Sequence, residues 1–243
     1  MTTTISGVAM TLRRGLVFLV AALAACDADE VGITGFEPTQ PTGRIRFLHA
    51  VPGTGAVNVS VDGVPLSANL AYGGVAPGTQ YFPAYVGNRQ FAVRRTADTS
   101  VHVLDAPVAV AMNTDHTVIA VGSTPREAVV IADDNAAPAA GNIKVRAVNA
   151  ALDTGNVDVY VTAQGASIAT IPPTFANLAP RAASAYVERA AGAFQVRFTT
   201  AGTKVVLRDV SVAAVGAGGI RTVVLLEAAG GGPPYTSATL TDR

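Results

Sequence analysis

Thr54-Gly55-Ala56-Val57-Asn58-Val59-Ser60-Val61 returns one hundred residues later as Thr154-Gly155-Asn156-Val157-Asp158-Val159-Tyr160-Val161. In each copy valines alternate with Asn58 and Ser60, or with Asp158 and Tyr160, a period of two that turns one strand face to a core and the other to water. The match runs back without a gap, from Arg46-Phe47-Leu48-His49-Ala50 to Arg146-Ala147-Val148-Asn149-Ala150. Forward, with small insertions, Val75-Ala76-Pro77 aligns with Leu178-Ala179-Pro180, Phe91-Ala92-Val93-Arg94 with Phe194-Gln195-Val196-Arg197, and Thr117-Val118-Ile119 with Thr222-Val223-Val224. The same alignment places Tyr85 opposite Tyr186. The chain is therefore read as a tandem repeat of units of about 80 to 90 residues, each large enough for its own core.

Further strands are expected at 90–95, 116–122, 194–199 and 220–227, with turns at Asp62-Gly63 and Tyr72-Gly73-Gly74. No apolar run after Cys26 has the 3.6-residue period of a helix of ten or more residues. Short strands with turn residues between them predict an all-β protein: two tandem antiparallel immunoglobulin-like β-sandwich domains following a signal peptide. The expected bounds are a leader at 1–25, a tether at 26–43, a first sandwich at 44–130, a linker at 131–141, a second sandwich at 142–228 and a tail at 229–243, in which 237–240 could add a last strand. The short linker predicts sandwiches placed end to end.

Arg46-Phe47-Leu48-His49-Ala50, Pro52, Val57-Asn58-Val59, Val61-Asp62-Gly63 and Leu70-Ala71-Tyr72-Gly73 resemble the bacterial family known as domain of unknown function 4397. The resemblance implies a sandwich and an envelope address, and no reaction. In the second unit Asn149 stands for the histidine, no Asp-Gly follows Val161, and the Tyr-Gly segment is missing.

Composition bounds the function. Of 243 residues 49% are hydrophobic and 14% charged, enough for a buried core and too apolar for a disordered chain. Basic and acidic residues number 17 each, and Arg13 and Arg14 fall in the leader, so the remainder is slightly acidic and no nucleic-acid partner is expected. Residues 11–26, Thr-Leu-Arg-Arg-Gly-Leu-Val-Phe-Leu-Val-Ala-Ala-Leu-Ala-Ala-Cys, have the basic start, apolar middle and small-residue end of a secretion signal. Their apolar stretch makes about 16 Å of helix at roughly 1.5 Å per residue, too short for a bilayer core of about 30 Å. Met10 lies at a normal distance before the arginines and is an alternative start. Leu23-Ala24-Ala25-Cys26 resembles the bacterial lipobox, which implies that lipid on Cys26 anchors the chain to a membrane of the cell envelope, inner or outer, facing the periplasm or exterior. Asp27 resembles the inner-membrane retention signal of enterobacterial lipoproteins. Cys26 is the only cysteine, which excludes an intramolecular disulfide and a cysteine-based metal cluster.

Candidate sites are few. His49 precedes a Pro-Gly turn and is either a site residue or a group that holds the following loop, a job Asn149 can share. Tyr81 and Phe82 are adjacent, so on a strand one of them faces outward and could stack on a sugar. Asp133-Asp134-Asn135 offers oxygens to calcium but lacks the spacing of a calcium loop, and no histidine pair has ligand spacing, so no metal and no cofactor is assigned. No Gly-x-Ser-x-Gly or Ser-x-x-Lys occurs, and Gly216-Ala217-Gly218-Gly219 reads as a hairpin tip, not a phosphate loop. The chain is accordingly read as a non-catalytic binding or spacer module for a protein or polysaccharide partner. The alternative is a secreted hydrolase with a site assembled from distant residues around His49 or His116.

Overall fold

The computed structural model describes residues 40–78 and 81–243. Its first half contains β1 (Thr42–Ala50), β2 (Val57–Val61), β3 (Val64–Leu70), β4 (Val75–Ala76), β5 (Phe82–Tyr85), β6 (Gly87–Arg95), β7 (His102–Val110), β8 (Asp115–Val121) and β9 (Glu127–Asp133). The second contains β10 (Asn142–Asn149), β11 (Val157–Thr162), β12 (Phe175–Leu178), β13 (Val187–Ala190), β14 (Gly192–Thr200), β15 (Val206–Val215), β16 (Ile220–Leu226) and β17 (Thr236–Thr241). Every described element is a strand. In the first half, sheet β3-β2-β6-β7 faces sheet β4-β1-β8-β9, with β5 also paired to β1; in the second, β12-β11-β14-β15 faces β13-β10-β16-β17. The predicted β-sandwich fold is the fold observed.

The valines that alternate in sequence do what their period requires. Val57, Val59 and Val61 enter one core with Ile45, Phe47, Phe91 and Val93; Val157 and Val159 enter the other with Ile143, Val145, Val196 and Phe198. Asp62 and Gly63 make the tight turn between β2 and β3 with positive φ at both, +49° and +80°, the left-handed pair that a two-residue hairpin needs. The second half has no such pair after Val161, and 163–174 instead fold over the outside of their sheet. Gly165 N–H donates to Gln195 Oε1 at 2.9 Å and Arg197 Nη1 to Ala166 O at 2.7 Å. Tyr160 is thereby buried although it lies on the polar side of β11.

Four expectations are corrected. The sandwiches are not wholly antiparallel, because β1 runs parallel to β8 and β10 parallel to β16; β4, β5 and β13 pair on one side of β1 or β10, the other intervening strands lie in the opposite sheet, and β8 and β16 enter on the remaining side. The expected linker begins inside a strand, since β9 continues to Asp133, whereas β17 lies where a last strand was expected in the tail and pairs with β16 over six registers. The forward alignment was also misregistered. Phe82 pairs with Ile45 and Val187 with Val145, so Tyr81, not Tyr85, is the counterpart of Tyr186. Likewise Val93 pairs with Val59 as Phe198 does with Val159, a shift of two residues from the alignment by Phe91 and Phe194. Such a shift keeps every side chain on its own face, so the hydrophobic pattern cannot detect it.

Finally, the sandwiches do not sit end to end. Leu48, Ala50, Ile119 and Val121, on the outward side of β1 and β8, pack against Val148, Ala150, Val224, Leu226, Ala238 and Leu240. The molecule thus has four sheet layers, and its two inner sheets are covered on both faces. A crossed pair of arginines pins this interface. Arg46 donates through Nε to Thr117 Oγ1 at 2.8 Å, through Nη1 to Thr241 O at 2.9 Å and through Nη2 to Asp242. Arg146 does the same to Thr222 at 2.8 Å, to Ala132 O at 3.0 Å and to Asp133. The Tyr81 and Tyr186 rings lie 4.8 and 4.7 Å from these guanidinium carbons, and their hydroxyls donate to Asp133 at 2.7 Å and Asp242 at 3.0 Å. Each half therefore supplies the cation for the other half's carboxylate. Replacing Arg146 by alanine strands a buried acid, which costs about 3–5 kcal/mol and should lower the melting temperature by roughly 6–20 °C in a chain of this size. Arg46→Met with Asp242→Leu, which removes both charges of one pair, should recover much of the loss suffered by Arg46→Met alone; thermal unfolding followed by circular dichroism measures both.

Candidate functional site

His49 ends β1 with no side-chain exposure. Its Nε2 lies 2.9 Å from Gly55 O, its Nδ1 accepts from Val51 N–H at 3.4 Å, and its ring meets Tyr72 edge-on at 5.7 Å. Asn149 repeats this arrangement: Nδ2 donates to Gly155 O at 3.1 Å and Oδ1 accepts from Ala151 N–H at 3.3 Å. The two side chains close equivalent loops. With both ring nitrogens occupied, His49 has no free one to act as a base, and desolvation holds its pKa below the ordinary 6.5. His116 points to the same inner face as Ile45 and is also buried, its Nδ1 lacking a partner. Four residues of strand, about 13 Å at roughly 3.3 Å each, separate the two histidines, so the structure does not bring them together. His102 is the exposed histidine, and its Nδ1 lies 2.7 Å from Asp105 Oδ2.

Tyr81 and Phe82 turn to opposite sides, as adjacent strand residues must. Tyr81 goes to the arginine cluster and is spent there, and burial pushes its hydroxyl pKa up, so it stays a donor to Asp133. Phe82 packs on the first core and also lines a groove of about 360 Å³ with Thr42, Val61, Asp62, Val64, Tyr85 and Arg89. Two residues of this groove stand out in exposure: Tyr85 at 54% and Val64 at 53%. The groove exists because β5 pairs with the start of β1, Tyr85 lying opposite Thr42, while the Asp62-Gly63 turn carries Asp62 to the rim. Asp62 accepts from Gln90 N–H at 2.8 Å and from Arg89 Nη1 at 3.2 Å. The structural register sets Tyr85 opposite Ala190, not Tyr186, so its ring has no counterpart in the second half.

A second, polar cleft of about 600 Å³ is lined by Thr42, Arg44, Asn113, Asp115, Asp134 and Asn135 among others. Arg44 holds Asp115 through two bonds of 2.6 Å, Asn135 also donates to Asp115, and Lys144 Nζ lies 2.6 Å from Asp134. With Asp133 committed to Arg146, the three residues considered for calcium point to three different partners. Among the described residues no three acidic, histidine or cysteine side chains converge as metal ligands. Cys26 lies outside the described residues.

Residues 43–160 match the family described as domain of unknown function (DUF4397), a stretch covering the first half and the first two strands of the second. No curated protein matches the sequence. Among solved structures, a multi-modular glycogen-degrading pneumococcal virulence factor, SpuA, is 10% identical at a TM-score of 0.25, covering 77% of this chain and 21% of that one. The TIE protein of Bacillus anthracis is 12% identical at a TM-score of 0.24, covering 76% and 34%. A streptococcal family 41 carbohydrate-binding module is 11% identical at a TM-score of 0.23, covering 70% and 88%. The chain thus spans about a fifth and a third of the first two structures' lengths, and all three scores are far below those of proteins that share one overall arrangement.

Replacing His49 by asparagine, the residue its counterpart uses, should preserve the loop and alter the response to acid. Because the folded-state pKa of His49 is depressed, its contribution is complete above about pH 6.5, the unfolded value, and is lost as the pH falls through the folded value. Melting temperatures measured from pH 7 to pH 5 should therefore fall less steeply for His49→Asn than for the wild type; parallel curves would refute a buried neutral imidazole.

Proposed function

We propose that this chain, similar over residues 43–160 to a family without an assigned activity, is an envelope-tethered, non-catalytic module that binds a polysaccharide in the Tyr85 groove. The observation that carries the reading is a half-exposed tyrosine ring held on a paired strand beside an ion pair, in a groove otherwise lined by Phe82, Val61 and Val64. Large exposed apolar side chains gathered in one concavity point to an interaction site more than scattered ones do. The electron-rich face of an aromatic ring suits the C–H face of a pyranose, and planar charged groups at the rim suit its hydroxyls. Among the described residues the groove has a single carboxylate, Asp62, where cleavage of a glycosidic bond uses a pair, which favours binding over hydrolysis.

Attachment through lipid on Cys26 completes the proposal. Fifteen residues lie between Cys26 and Thr42, sixteen steps with a reach of at most about 55 Å at roughly 3.3–3.6 Å each, so the groove would sample polymer close to its own membrane. More than one acyl chain is needed for stable anchoring, which a lipidated, acylated Cys26 provides. Membrane fractionation of Cys26→Ala should release the protein from the membrane, with loss of lipid label; unchanged sedimentation would exclude the anchor.

For the groove, Tyr85→Ala should weaken binding to the polysaccharides retained by the wild type about tenfold or more, the equivalent of about 1.4 kcal/mol, while Tyr85→Phe keeps most of it. Affinity electrophoresis on a panel of neutral and acidic polysaccharides reads this out. Wild-type mobility unaltered by every polymer, or altered equally in Tyr85→Ala, would overturn the reading.

A further inference from the structure

We infer that the ligand of the groove carries carboxylates, as a uronate-containing polysaccharide does; the inference rests on the Tyr85 reading and narrows it to a chemical class. It starts from Arg89, the only cationic side chain among the described residues that lines the groove. A guanidinium has five N–H donors in a planar fork. Among the described residues, Arg89 has one acceptor, Asp62 Oδ2 at 3.2 Å, a length at the weak end for a charge-assisted bond. Its Nε is buried without any acceptor. Arg197, its contrast in the same molecule, has Nε on Asp209 at 3.0 Å, Nη1 on a carbonyl and Nη2 on Gln195.

Asp62 does not need Arg89 in return. Its Oδ1 takes the Gln90 N–H, and its side chain is 42% exposed, so water can serve the other oxygen. A ligand lying over Tyr85 would remove water from the remaining Arg89 donors, and each left unpaired would oppose binding. A hydroxyl offers one acceptor at a time. A carboxylate offers two in the plane and spacing of the fork, with opposite charge. Among the described residues no carboxylate other than Asp62 lines the groove, so a ligand acid meets one cation and one acid whose second oxygen water can serve.

The experiment measures binding of the full chain to polygalacturonate and to dextran, a neutral polymer, by isothermal titration calorimetry at two salt concentrations. The expected result is affinity for polygalacturonate at least about tenfold above dextran, falling with added salt, and a preference abolished in both Arg89→Gln and Arg89→Lys, since lysine keeps the charge but not the fork. Equal affinity for the two polymers, or an undiminished preference in Arg89→Gln, would overturn the carboxylate and leave Tyr85 as a neutral-sugar platform. Failure of both polymers, with Tyr85→Ala indistinguishable from wild type on the wider panel, would overturn the groove itself. Circular dichroism of each variant separates loss of binding from loss of fold.

Discussion

Two guanidinium groups buried between sheets would be ruinous alone, and the way their cost is offset organises the rest of the molecule. Arg46 reaches across to Asp242 and Arg146 reaches back to Asp133, so neither half can withdraw without leaving a charged group of each sign in an apolar layer. The threonines and tyrosines around them fill the remaining hydrogen-bonding capacity: Thr117 and Thr222 each accept from an arginine and donate to an aspartate. Ion pairs of this kind are a weak source of net stability, but their geometry admits one arrangement. Around this pin, Leu48, Ile119, Val148 and Val224 supply the non-directional part of the contact.

How much of this was legible in the sequence depends on the range of the signal. The alternation around Val57 to Val61 and the Asp62-Gly63 pair are local, and strand and turn follow from them directly. The likeness of the two halves was legible too, because the stretches around Val57 and Val157 align without a gap. Stacking of the halves was not read, although a sign of it was present: Val118-Ile119-Ala120-Val121 and Val223-Val224-Leu225-Leu226 are apolar without alternation, the mark of strands covered on both faces. The arginine partners lie 196 and 13 residues away, and nothing local announces them.

The candidate site was less legible still. Of the two adjacent rings, Phe82 lines the groove, whereas Tyr81 is not a ring that opens to solvent, since its hydroxyl and its face are both taken inside the interface. The match of Tyr85 to Tyr186 is out by four residues, an even number that leaves burial patterns intact. His49 was read in two ways, and its twin Asn149 decides between them through the bonds the two side chains share.

One feature of β1 bears on how such a molecule would stand under load. The segment that leads to the amino terminus joins the body at Thr42, and Thr42 is paired with Tyr85 on the groove. Tension between an anchored amino terminus and a polymer held at Tyr85 would therefore cross only the short ladder between β5 and the start of β1, whose pairs Thr42–Tyr85, Gly43–Ala84, Arg44–Pro83 and Ile45–Phe82 lie abreast. Beyond Ile45, β1 runs on between its neighbours, and pulling it lengthwise would have to shear the whole parallel ladder with β8 at once. Under such a load the second half would lie outside the line of force, fastened to the first by the arginines.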